Sequence, residues 1–344
     1  MLKEAIGKLT AGQNLSQEET SAAMREIMNG GAPEAQIAAF ITALRMKGET
    51  INEITACADV LREKCIRLVP ESDTLEIVGT GGDCANTFNI STTSSIVAAA
   101  AGVPVTKHGN RSVSSKSGAA DVLEALGVKI DLSAEKNAQL LKETGICFLF
   151  AQKYHASMRF AGPVRKAIGI RTVFNIIGPL ANPAFAKVQL LGVYNKSLVK
   201  PLAEVLINLG ITRGMVVYGD DGLDELTVSS TNTVAEIDHG QINEFVLDPA
   251  AYGFKRCRKS DLLGGGPEAN AKITREILSG RERGAKRDAV LLNAGVGIYL
   301  AGKAASIAEG IKMAAAVIEN GQAAAKLEAF VKCSNKLAVE QKAV

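Results

Sequence analysis

Three short stretches carry most of the residues able to do chemistry, and each follows a run of the kind that forms a strand. Gly79-Thr80-Gly81-Gly82-Asp83 follows Leu75-Glu76-Ile77-Val78, and Lys107 to Ser115 follows Val103-Pro104-Val105. Asp220 to Glu225 follows Met215-Val216-Val217-Tyr218. The first two stretches offer backbone N–H groups, hydroxyls and cations, the complement of a phosphate. The third offers carboxylates, and Mg²⁺ takes one or two of these together with substrate phosphates. Ligands of open α/β sheets sit beyond the carboxyl ends of the strands. The three loops therefore predict a site for a phosphorylated, metal-bound substrate.

Each stretch also has a plainer reading. Glycines at 79, 81 and 82 let a backbone approach a pyrophosphate, but they also suit an ordinary strand-to-helix turn. The spacing matches neither the dinucleotide fingerprint nor the P-loop. Thr87, Asn89, Ser91 and Thr92, in the turn that opens the next helix, favour the phosphate reading, because a helix N-terminus attracts anions. Lys107, Arg111 and Lys116 are combined with four serines ahead of a helix beginning near Gly118, many donors with few acceptors. A lone His108 reads as a structural donor rather than an acid or base. Asp224 and Glu225 point to opposite sides of an extended chain and can each meet a metal or its water shell, whereas Asp220 and Asp221 read as turn residues. Arg159, Arg165 and Arg171, with His155 nearby, are candidates for a fork on a substrate carboxylate. Residue type and spacing do not choose among the three. Gly264-Gly265-Gly266-Pro267 reads as a turn before a helix that starts with proline.

The elements that must position these residues fall into two parts. Residues 1–70 read as helices only, with capping boxes at Ser16/Glu19 and Thr50/Glu53 and a helix start at Pro33. From residue 74, short β-branched runs alternate with helices. Strands are expected at 75–78, 103–107, 188–194 and 215–218, and helices at 91–101, 118–126 and 199–209. The expected fold is α/β, a small all-helical domain (1–70) plus a larger domain (71–344) with a mostly parallel central sheet flanked by helices. Residues 154–183 are irregular and rich in Gly, Pro, Arg and Asn, as a junction between domains would be, and such junctions often hold ligands. After Pro267 the chain reads as helical again, apart from a loop near 281–287.

Composition narrows the function classes. The 344 residues are 47% hydrophobic and 22% charged, with a net charge of +3. That balance does not predict a broad basic face for nucleic acid. The six cysteines lack paired spacing, which suits a reducing cytoplasm rather than a disulfide framework or a zinc site. No apolar run approaches the roughly 20 residues that span a bilayer, and the first residues lack a signal-peptide layout. A cytoplasmic protein without membrane or nucleic-acid partners is expected.

The ordered motifs resemble the anthranilate phosphoribosyltransferase family. The likeness rests on Gly79 to Asp83, Thr87-Phe88-Asn89-Ile90-Ser91-Thr92, Lys107 to Arg111, Gly118 to Gly127, Gly169 to Asn175, Gly178 to Pro183 and the Asp224-Glu225 pair. It implies transfer of the phosphoribosyl group of phosphoribosyl pyrophosphate (PRPP) to the amino group of anthranilate in tryptophan biosynthesis, with Mg²⁺. It also implies a homodimer, and a helical domain that takes in part of residues 160–190. Carried over by motif, the PRPP site comprises Gly79, Gly82, Asp83, Thr87, Asn89, Ile90, Ser91, Thr92, Lys107, His108, Gly109, Asn110, Arg111, Ser112, Val113, Ser114, Ser115 and Ala119. Anthranilate would meet Gly79, Asn110, His155 and Arg165, and the metal would meet Ser91, Asp224 and Glu225. Cys84-Ala85-Asn86 replaces the more polar or glycine-containing residues often found there. Two alternatives are a pyrimidine nucleoside phosphorylase and a non-catalytic relative that binds nucleic acid. The intact Lys107 stretch argues against the first, and the retained carboxylates with low net charge argue against the second.

Overall fold

The computed structural model describes residues 1–112 and 116–342. Val113, Ser114 and Ser115 lie outside the described residues. The chain opens with four helices, α1 (Leu2–Thr10), α2 (Gln17–Met28), α3 (Glu34–Lys47) and α4 (Ile51–Glu63). Both expected capping boxes form, Ser16 with Glu19 and Thr50 with Glu53. Pro33 is the residue just before α3 rather than its first residue.

Glu53 does more than cap. Its fully buried carboxylate accepts from Thr50 N (2.8 Å), Leu15 N (3.0 Å) and Lys47 Nζ (2.8 Å), so it ties α4 to the α1–α2 linker and to α3. Burial pushes its pKa up, but the Leu15, Lys47 and Thr50 donors outweigh burial and hold it below the usual value. Glu53→Gln is expected to destabilise the bundle by about 3 kcal/mol, because Lys47 is left buried without a counter-charge. Urea denaturation followed by helical circular dichroism checks this, and an unshifted midpoint would contradict it.

The remainder alternates strands and helices. The strands are β1 (Leu75–Gly79), β2 (Val105–Gly109), β3 (Ile146–Phe150), β4 (Val188–Gly192), β5 (Arg213–Gly219), β6 (Asn232–Asp238) and β7 (Gln241–Leu247). The helices are α5 (Ile90–Ala100), α6 (Ala119–Leu126), α7 (Ala134–Thr144), α8 (Ala151–Tyr154), α9 (Gly162–Ile168), α10 (Val199–Asn208), α11 (Pro267–Leu278), α12 (Ala285–Leu300), α13 (Ile307–Glu319) and α14 (Gln322–Lys342). The seven strands run in the order β3-β2-β1-β4-β5-β6-β7. Pairing is parallel from β3 to β5 and antiparallel in β5-β6-β7.

The chain builds outward from β1 to β3 on one side, then resumes at β4 on the other. The crevice between the ends of β1 and β4 is thus a topological switch point, where such sheets bind ligands. Alternating side chains serve two cores. Leu190, Met215 and Val217 face one with α5, α12 and α13, whereas Leu191 and Val216 face the other. That second core holds the N-terminal helices, α10 and the apolar residues of 161–181, so the irregular segment is sandwiched between bundle and sheet.

Candidate active site

Gly79 and Gly192 are partners in the register of β1 and β4 and end those two strands. A Cβ on either would collide with Asp224, on Gly79 with its side chain and backbone and on Gly192 with its carbonyl. Glycine is required at both because the Asp224-Glu225 segment lies across the switch point. The segment is pinned from the far side by Asn293 of α12, whose amide accepts from Leu226 N (3.2 Å) and donates to Leu226 O (2.8 Å). Asp220 and Asp221 do serve the turn. Asp220 accepts from Thr231, Thr233 and Lys196, and Asp221 from Thr227 and Ser229.

The glycine loop meets these carboxylates directly. Asp224 Oδ2 accepts from Gly81 N (2.6 Å), and Asp83 Oδ2 lies 3.5 Å from Asp224 N. Glu225 Oε1 accepts from Ser91 N (3.3 Å) in the first turn of α5. Burial, then the neighbouring charges of Asp83 and Glu225, push the Asp224 pKa well above the carboxylate range. Burial also raises Glu225 to about 7, against Lys107 and Ser91, which favour its charge. Such a pair of crowded acids is an environment that a divalent cation relieves. Among the described residues no three His, Cys, Asp or Glu side chains form a complete ligand set.

Lys107, midway along β2, is buried, with Nζ donating to Ile77 O (2.7 Å). Burial lowers its pKa while Glu76, Glu225 and Asp224 favour its charge. Glu76, buried in β1, accepts from His108 N (3.2 Å), and burial lifts its pKa to about 7. The His108 and His155 rings lie 5.1 Å apart, centre to centre. His108 is thus part of a buried cluster, held neutral by burial and by its neighbours His155 and Lys107.

His155 gives a pH prediction. Burial lowers its pKa from 6.5 to about 4, against the carbonyls of Ala181 and Leu61. The unfolded chain therefore takes up the proton first as pH falls below 6.5, and stability present at neutral pH is lost towards pH 4. Relative to His155→Gln, the wild type is expected to lose roughly 3 kcal/mol over that window. Denaturation midpoints of both proteins from pH 7 to 4 test this. Comparing them isolates His155 from Glu76, whose raised pKa acts in the opposite sense. Parallel curves would contradict it.

The second loop departs from expectation in one respect. Acceptors are present, because Arg111 forms ion pairs with Asp121 (3.0 Å) and Glu124 and lies over the Phe150 ring. Asp121 also accepts from Ser112 N (2.9 Å) and Gly118 N (2.8 Å), and so fastens both ends of the loop. Asn110 accepts from Arg111 N and Gln152, and Ala119 opens α6. Asn89 donates to Ser117 O (3.1 Å) and accepts from Asn270 (2.8 Å), which in turn holds Gly265 N. Asp121, Asn270 and Asn293 were not singled out from the sequence. Only Asp121 carried a local signal, the capping position three residues after Gly118.

Thr87 forms an isolated bridge with Leu263, and Ile90 begins α5 ahead of Ser91 and the buried Thr92. Gly79, Gly82, Asp83, Ser91, Lys107, Gly109 and the Asp224-Glu225 pair thus lie at or beside the ends of β1, β2 and β4. Among the described residues, no carboxylate pairs with Arg159, Arg165 or Arg171. Arg165 lies over the Phe174 ring (5.2 Å) on α9, at the junction segment.

Known proteins match this architecture part by part. The helical bundle domain of a glycosyl transferase family matches residues 3–65, and the α/β domain of that family matches residues 71–324. An anthranilate phosphoribosyltransferase of Ruminiclostridium cellulolyticum is 55% identical, covering 99% of this chain and 100% of the relative. One from Methanobrevibacter smithii is 54% identical over 97% of this chain and 100% of its own length. The crystal structure of the Thermus thermophilus enzyme superposes with a TM-score of 0.92 at 43% identity, covering 96% of this chain and 99% of that one. The Saccharomyces cerevisiae enzyme in complex with PRPP and Mg gives 0.90 at 29% identity, covering 97% and 98%. The switch-point cleft, the two-part chain and these likenesses agree that the chain belongs to the anthranilate phosphoribosyltransferase family.

Proposed function

We propose that this chain transfers the phosphoribosyl group of PRPP to the amino nitrogen of anthranilate in tryptophan biosynthesis, releasing pyrophosphate. The observation that carries this reading is the convergence of a glycine loop, a buried lysine and two crowded carboxylates at the β1/β4 switch point. Arg165, which no carboxylate among the described residues neutralises, stands on α9 in the junction segment, over Phe174. A related yeast structure holds 4-fluoroanthranilate, the acceptor class that Arg165 would suit. Neither the phosphorylase nor the nucleic-acid reading has an observation in its favour.

In this reaction the C1–O bond to pyrophosphate breaks and a C1–N bond forms, and the amine then gives up a proton. The aromatic amine is neutral at pH 7 and already nucleophilic, so no obligatory general base is assigned. Asp224, Glu225 and Ser91 would hold Mg²⁺, which when bound stabilises charge on the leaving oxygens. The loop residues Gly79, Gly82, Asp83 and Thr87 to Thr92, with Lys107 to Ser112 and Ala119, would place the pyrophosphate and ribose. Val113, Ser114 and Ser115 are proposed for the same site from the sequence alone. Gly79, Asn110, His155 and Arg165 would orient the acceptor, the guanidinium gripping its carboxylate. Holding both partners in line removes much of the entropic barrier, since oriented pairs reach effective molarities of about 10⁵ M or more.

Residues 1–70 with part of 160–190 would act as the helical domain and residues 71–344 as the PRPP domain; the apolar residues of 161–181 pack in the same core as the bundle, a core that also takes in α10 and the sheet. A homodimer through the bundle is proposed from the family resemblance. A cytoplasmic location is supported by the six free cysteines, and no helix among the described residues is long and apolar enough to cross a membrane. The direct test is loss of anthranilate fluorescence on adding PRPP, with and without Mg²⁺. Consumption only when both are present establishes the reaction. A folded protein that consumes none would refute it.

A further inference from the structure

Of the three junction arginines, one reaches the phosphate loop. Arg171 follows α9 after the left-handed turn at Gly169 (φ 68°). Its guanidinium donates to the carbonyl of Gly82 and lies over the Tyr194 ring, 4.4 Å from its centre. Tyr194 itself is tied to the same loop, because its N–H donates to Thr80 Oγ1 (3.1 Å) while Thr80 N donates to Gly192 O (2.9 Å). Gly81 and Gly82 are consecutive left-handed residues (φ 72° and 81°), a turn with many alternatives open to it unless something holds it. Arg171 holds it from outside the strand, with a cation that no carboxylate neutralises among the described residues. Arg165 lies six positions earlier, on α9 of the same short segment.

We propose that Arg171 is a positioning residue that fastens the Gly81-Gly82 turn to the segment bearing Arg165, so that pyrophosphate binding and acceptor-carboxylate binding strengthen each other. The inference rests on the function proposed above. Seating a carboxylate on Arg165 orders α9 and the residues after it, and Arg171 carries that order to Gly82. A pyrophosphate bound by the loop orders the same segment in return, because such coupling is reciprocal. The Arg171 charge also adds attraction for an anion at the loop. Lysine would keep the charge but lose both the fork and the stacking over Tyr194.

The test is calorimetric titration of the full chain with magnesium pyrophosphate, with and without anthranilate. In the wild type, anthranilate is expected to tighten pyrophosphate binding several-fold. In Arg171→Ala, pyrophosphate alone should bind about tenfold more weakly, and anthranilate should no longer tighten it. Arg171→Lys should recover part of the affinity without the coupling. Tyr194→Leu, which removes the platform but no charge, should reduce the coupling more than the affinity. Unchanged melting temperatures would show that the variants fold. A wild type that turns over PRPP and anthranilate, with Arg171→Ala unaltered in affinity and coupling, would overturn this inference and leave the function standing. A folded wild type that neither transfers nor binds magnesium pyrophosphate would overturn both.

Discussion

Asp224→Asn combined with Glu225→Gln is expected to lower Mg²⁺-dependent consumption of PRPP by at least about 10³-fold. Burial disfavours the charge of both carboxylates, and among the described residues Lys107 is the cation that favours it, its own ammonium bonding the carbonyl of Ile77. Amides keep the shape, so Gly81 N and Ser91 N retain oxygen acceptors at Asp224 and Glu225. What they lack is the charge that a divalent cation needs. Folding should not suffer. Burial, with the charges of Asp83 and Glu225, raises the Asp224 pKa, and burial raises Glu225 to about 7, so removing the charges relieves a cost of burying them. The decisive pair of measurements is turnover against Mg²⁺ concentration and the melting temperature. Near-normal turnover would sink the metal assignment, and a collapsed melting temperature would point to structural damage.

Arg165→Ala should weaken anthranilate far more than PRPP. A charged hydrogen-bonded pair contributes roughly 1.5–3 kcal/mol, on the order of 10- to 100-fold in affinity. The guanidinium is preplaced over Phe174, with one N–H 3.4 Å from that residue's carbonyl, so little ordering remains to be done on binding. Arg165→Lys should restore only part of the loss, because an ammonium cannot form the two parallel bonds of a fork. Steady-state KM values for both substrates separate the outcomes. A selective rise for anthranilate supports the role, whereas an equal rise for both points to disturbed folding of the junction.

Much of the scaffold was legible in the sequence. The runs at 75–78, 188–194 and 215–218 and the helices near 91–101, 118–126 and 199–209 lie within a few residues of the observed elements. The capping boxes at Ser16 and Thr50 formed as read, because a cap is decided within four residues. β3 was missed, since Ile146 to Phe150 is a short apolar run without alternation, and such a run does not distinguish strand from buried helix. The β6–β7 hairpin was missed too. Its turn, His239-Gly240, is left-handed at both positions (φ 47° and 86°), a geometry more often signalled by Asn-Gly.

The sequence by itself determined the three loops and their chemistry, because glycines, hydroxyls and acids after a strand-forming run are local facts. The tertiary structure decided which charges are available. Arg111 looked free in a donor-rich loop, yet Asp121 and Glu124, ten and thirteen residues on, engage it once α6 folds back. Arg159, Arg165 and Arg171 were indistinguishable by spacing. Folding sent Arg171 to a carbonyl 89 residues distant and laid Arg165 along Phe174. Asp224 meets Gly81 across 143 positions; burial there and the charges of Asp83 and Glu225 raise its pKa against that bond, and the close approach of Asp224 makes glycine necessary at 79 and 192. Local residues set what a loop can offer. Burial and long-range pairing, which depend on how the sheet closes around its switch point, set what remains for a substrate.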